Sequence, residues 1–159
     1  MSAALDHKSP VEIVGSFLES APVDLAGMAQ ALGLSLQKNF GWSDNTSGSI
    51  ERMGESYTIR INGNDSPTRA RFTLAHEIAH YILHRDLIGD GITDDALYRS
   101  SLSNYIETQA NQYAASLLMP ARLMREKWRQ GLRAIHEFAS AFGVSSKAAE
   151  IRMKELRLG

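Results

Sequence analysis

Residues 71–84 read Arg71-Phe72-Thr73-Leu74-Ala75-His76-Glu77-Ile78-Ala79-His80-Tyr81-Ile82-Leu83-His84. Apolar residues fall on every side of this stretch, which predicts a helix packed inside the protein rather than one lying on its surface. Ser66-Pro67 provides the start, an N-cap followed by proline at the first helical position, and the helix is expected to run to about His84. His76 and His80 stand at i and i+4, ~40° apart around the axis and ~6 Å along it, a spacing that lets two imidazoles share one tetrahedral Zn²⁺. Glu77 then points beside such an ion, where it can accept a proton from water. The competing reading is a pair of ordinary core histidines. Two imidazoles and a carboxylate on so apolar a helix are costly unless something compensates them, and a metal ion does.

A catalytic zinc needs a third protein ligand and an open position. His84 continues the four-residue spacing but would lie ~12 Å from His76 along an unbroken helix, while both would have to reach within ~2 Å of one ion. His84 is therefore read as supporting a ligand or as structural. Glu107, 27 positions past His80 on the next clear helix, can return across a helix–loop–helix hairpin. A carboxylate there leaves zinc acidic enough to activate water. Asn111, one turn on, can hydrogen-bond a ligand. The plain alternatives are a surface charge for Glu107 and a surface amide for Asn111.

The 71–84 stretch resembles the signature of the ImmA/IrrE metallopeptidase family. Glu107-Thr108-Gln109-Ala110-Asn111-Gln112-Tyr113-Ala114-Ala115-Ser116-Leu117-Leu118-Met119-Pro120 resembles that family's second block, in which the glutamate three residues before Ala-Asn binds zinc. The resemblance covers roughly residues 9–120. It implies a compact zincin-like α+β fold and a cytoplasmic protease of narrow specificity, since members of that family cut, or relieve repression by, helix-turn-helix repressors, often in toxin–antitoxin-like pairs.

Outward from the motif, Ser9-Pro10-Val11-Glu12 carries a capping box, and Val11, Val14, Phe17 and Leu18 recur at helical spacing up to Ala21-Pro22. A second helix is expected from Asp24 to Leu32, with Gly33 as its stop. Leu34–Leu36, Ser47–Ile50 and Tyr57–Ile61 read as strands. Residues 86–102 read as a long surface loop. A helix returns from Ser103, Pro120 ends it or starts the next, and the remainder is helical with breaks at Gly131 and Gly143-Val144-Ser145. The expected architecture is α+β: one domain over 1–159, with a small sheet in the N-terminal half and a mainly helical C-terminal half. Residues 9–120 form the catalytic core, and 121–159 a helical, helix-turn-helix-like extension.

The 159 residues contain no cysteine, which removes disulfides and thiolate metal sites. The first residues show no basic start followed by an apolar run, and no stretch approaches ~18 apolar residues; the expectation is a cytoplasmic protein without a membrane partner. Net charge is −1, against a protein that coats nucleic acid by charge alone. The charge is uneven, −6 over residues 1–120 and +5 over 121–159.

The functional expectation is a zinc endopeptidase that hydrolyses peptide bonds by metal-activated water. His76, His80 and Glu107 hold Zn²⁺ and Glu77 acts as general base. Tyr98, Tyr105, Arg69 and His84 are unranked candidates to stabilise the transition state. The substrate, a helix-turn-helix repressor or antitoxin, is expected to lie along the edge of strand Ser56–Ile61, with Tyr57 and Ile59 as contact candidates. The alternative is a DNA- or protein-binding regulatory module with a structural or vestigial zinc site. In that reading Phe138–Ser145 forms the first helix and turn, and Lys147, Arg152, Lys154 and Arg157 carry the charge.

Overall fold

The computed structural model describes residues 8–88, 92–95 and 104–159, the 92–95 segment by its backbone pairing alone. In chain order the elements are α1 (Pro10–Ser16), α2 (Leu25–Ala31), β1 (Leu34–Asn39), β2 (Thr46–Met53), β3 (Ser56–Asn62), α3 (Pro67–Leu83), α4 (Arg85–Ile88), β4 (Ile92–Asp95), α5 (Asn104–Leu118), α6 (Ala121–Arg129), α7 (Ile135–Phe142) and α8 (Ser146–Glu155). The α+β expectation holds.

The capping signals work as read. Ser9 Oγ accepts from the Glu12 N–H while Glu12 Oε1 accepts from the Ser9 N–H at 3.1 Å. Asp24 caps α2 through the Gly27 N–H at 2.9 Å, and Gly33 leaves that helix at φ 81°. α1 is shorter than the apolar spacing suggested: Ser16 Oγ bonds back to the Ile13 carbonyl at 2.7 Å and the Phe17 N–H tightens onto Val14, closing the helix at Gly15-Ser16. Phe17 and Leu18 still pack against the core from the turn that follows.

The sheet has the order β1-β3-β2-β4. β2 and β3 form an antiparallel hairpin around Gly54 (φ 68°), and β1 returns parallel to the far side of β3, Leu36 opposite Ile59. This order corrects two expectations. Ser56–Ile61 is not an edge: β3 is bonded on both sides and Ile59 is fully buried, so neither it nor Tyr57 offers a free backbone edge to a substrate. The stretch read as a loop over 86–102 contains α4 and a fourth strand, β4, which pairs antiparallel with β2, Ile92 opposite Ile50. Local patterning does not encode such pairing, because it is made with a strand some 45 residues earlier.

Helix α3 crosses one face of the sheet, and every residue from Thr73 to His80 is buried. Ile78, Ile50 and Ile59 meet Phe138, Phe142, Leu117 and Met124 in one apolar cluster, which therefore joins sheet, α3 and the C-terminal helices. Filling it drives the fold, at roughly 1.5–3 kcal/mol per large apolar side chain fully buried. Among the described residues no helix is long and apolar enough to cross a membrane.

Candidate metal centre

Ser66 Oγ accepts from the Arg69 N–H and Pro67 opens α3, so the helix phase is set ten residues before the first histidine. One turn separates His76 from His80, whose rings stand edge to face with centroids 4.7 Å apart. Both present Nε2 to the same carboxylate, that of Glu107 in the first turn of α5. Glu107 Oε1 lies 3.1 Å from His76 Nε2, and Oε2 lies 3.3 Å from His80 Nε2. Donor atoms from all three residues fall within 4.8 Å of one another, His76 and His80 buried and Glu107 nearly so. Two imidazole nitrogens and one carboxylate oxygen aimed at a common point fit a divalent first-row metal with three protein ligands.

Glu77 is completely buried, on the side of α3 that meets β2. The strand makes room for it with Gly48: a Cβ there would lie 3.0 Å from Glu77 Oε2 and press on the Thr73 side chain. Sequence reasoning passed over Gly48 as a strand beginning. A glycine inside a strand is the signal for such a close approach.

His84 ends α3 as its C-cap and is buried. Its Nδ1 lies 3.0 Å from His80 Nδ1, and its Nε2 lies 2.9 Å from Gln109 Oε1. Gln109 was not singled out from the sequence; its reach to His84 depends on how α5 crosses α3, which no periodicity records. Asn111, the amide that was singled out, is exposed and its side chain makes no hydrogen bond among the described residues. Tyr105 is 69% exposed. Arg69 is held by Ser47 Oγ at 2.7 Å and by Asp65 at 3.3 Å, two helical turns before His76. Tyr57 packs edge-on against Tyr81 with centroids 5.2 Å apart. Tyr98 lies outside the described residues.

At the C-terminal side, α7 ends on Gly143 (φ 67°), Ser145 caps α8, and Ala149 and Met153 are buried between the helices and the core. Arg71 on α3 donates to the Phe142 carbonyl at 3.4 Å; burial pushes its guanidinium below the usual range, opposed by Asp24. Of the basic residues of α8, Arg152 is taken up inside the protein, donating to the Met119 carbonyl at 3.0 Å. Lys147 and Lys154 are exposed, as is Arg157 just past the helix. Burial raises the Tyr113 phenol above its ordinary value.

The family model Peptidase M78, described as the IrrE N-terminal-like domain, matches residues 29–154. A protein of Deinococcus deserti named Radiation response metalloprotease IrrE is 39% identical over 106 residues, 64% of this chain and 37% of that protein. One of the same name from Deinococcus radiodurans is 37% identical over 134 residues, 80% of this chain and 39% of that protein. The chain thus spans well under half the length of these relatives. A solved Mycobacterium tuberculosis transcriptional regulator shares the fold, with TM-score 0.63 and 20% identity over 96% of this chain and 47% of that one.

Proposed function

Because the chain belongs to the Peptidase M78 (IrrE N-terminal-like) family, the ImmA/IrrE metallopeptidases, we propose that it is a zinc-dependent endopeptidase. The observation that carries this reading is the convergence of His76, His80 and Glu107, with a buried Glu77 beside the first histidine. Zinc held by those three residues supplies Lewis acidity toward water and the scissile carbonyl. Glu77 takes one proton from the attacking water as the new C–O bond forms, and passes it to the departing amine as the C–N bond breaks. Complete burial against β2 holds that carboxylate in place beside the first histidine.

The substrate is a protein, a helix-turn-helix repressor or antitoxin-like partner. Its extended segment approaches from the β4 side of the sheet, since β2 abuts Glu77 through Gly48 and is bordered there by β4. The surplus of positive charge over residues 121–159 suits an acidic patch on that partner. The test is to incubate zinc-loaded protein with a helix-turn-helix repressor from the same genome, chosen from the neighbouring genes, and read intact masses. One new pair of fragments, abolished by chelator and restored by zinc, is expected. An intact partner after prolonged incubation with metal-replete protein overturns the reading.

A further inference from the structure

His80, His84 and Gln109 form a chain of side chains running from the metal-facing nitrogen to α5. His80 is wholly buried and His84 nearly so, and their Nδ1 atoms lie 3.0 Å apart. A neutral imidazole carries a single N–H, so one proton is shared between those two nitrogens and each ring's tautomer fixes the other's. Gln109 sets the direction. Its Oε1 stands 2.9 Å from His84 Nε2, and a carbonyl oxygen only accepts. The His84 proton therefore sits on Nε2, and His84 Nδ1 accepts from the His80 Nδ1–H. That leaves His80 Nε2 with its lone pair directed at the point where the Glu107 carboxylate also converges.

We infer that Gln109 and His84 are positioning residues that lock His80 in its Nδ1–H tautomer and so present Nε2 to the metal. The reverse polarity would turn the Gln109 amide over so that its NH2 donates to His84 Nε2, and would leave the proton on His80 Nε2, where it opposes metal binding. The backbone assists, since the His84 N–H donates to the His80 carbonyl at 2.8 Å and fixes the two residues against each other. Hydrogen bonds of this kind to a ligating histidine govern metal affinity by about 10–100-fold. The inference rests on the metallopeptidase reading only for the presence of an ion at this site.

Position 109 is well suited to a test because Gln109 also lines a surface pocket of about 290 Å³ with Leu83, Gln112, Tyr113 and Ser116, so a changed head group is accommodated. Zinc affinity of the full chain, measured by competition with a chromophoric chelator, is expected to fall about 10–100-fold in Gln109→Lys, which can only donate. Gln109→Glu, which can only accept, keeps wild-type affinity or exceeds it. Metal-free melting points are compared alongside. The second readout is nitrogen NMR of the zinc-loaded wild type labelled in its five histidines, where His84 is expected protonated on Nε2 and His80 on Nδ1. Equal affinity in Lys and Glu variants, or an Nδ1–H tautomer at His84, overturns the inference and leaves the peptidase reading standing. A wild type that binds no zinc overturns both.

Discussion

Gly48 and Glu77 face each other across the α3–β2 interface: a Cβ at position 48 would press into the Thr73 methyl and lie 3.0 Å from Glu77 Oε2, so both side chains of α3 use the space that the glycine leaves. Gly48→Ala should therefore push on Thr73 and on Glu77, the proposed general base, together. We expect turnover to drop at least tenfold, zinc stoichiometry to stay at one, and stability to fall by about 1–3 kcal/mol from the forced shift in a packed interior. Turnover, metal content and a denaturant midpoint measured on one preparation check this; unchanged turnover would show that the carboxylate does not act from where it lies.

Glu77→Gln keeps shape and removes the proton acceptor. Hydrolysis is expected to fall by about 10²–10⁴-fold while zinc remains bound, because the three metal-facing side chains are untouched. Quantifying product by mass spectrometry beside elemental analysis separates loss of chemistry from loss of metal.

Removing the metal should not unfold the protein. The apolar cluster that joins Ile50, Ile78, Leu117 and Phe138 includes none of the three metal-facing side chains. Ligand binding at a free concentration ~1,000-fold above Kd contributes about 4 kcal/mol, which for a chain of this size corresponds to a melting point lowered by about 10 °C. Helical circular dichroism retained in chelator, with that shift, is the expected result. Complete loss of helicity would make the site a structural one.

Acid weakens the C-terminal hairpin through Glu137. Its carboxylate accepts from the backbone N–H groups of Ala134 (2.9 Å) and Arg133 (3.1 Å), and these bonds, Ala134's first, hold it below its ordinary value of 4.5. With the folded value lowered, the unfolded chain takes the proton first, so the contribution is complete above about pH 4.5 and fades as pH falls through the folded value. Glu137→Gln should lower the melting point at pH 7 and narrow its gap to wild type at pH 3. A gap that stays constant across that range would remove the carboxylate from the account.

What could be read from the residues was whatever is written locally. Ser66-Pro67 and the apolar surround of His76 located α3, and the i, i+4 spacing placed both imidazoles on one side of it. Glu107 followed from needing a third donor on the next helix, and the structure brings it to both Nε2 atoms. What escaped depends on contacts distant in sequence. The interior position of β3 arises because β1 bypasses β2 to pair with it, and an alternating strand looks the same at an edge or a centre. Gln109 rather than Asn111 reaches the histidines because of a helix crossing. Gly48 reports on Glu77, 29 residues later, and only the packed structure shows why it must be glycine.

The shared interior of α3 and the terminal helices also bears on how such proteins evolve. Arg71 grips the end of α7 five residues before the first metal-facing histidine, and Phe138 and Phe142 complete the cluster around Ile78. Recombination breakpoints near residue 120 would tear one hydrophobic interior in two, so inheritance should transmit the front and back of this chain together.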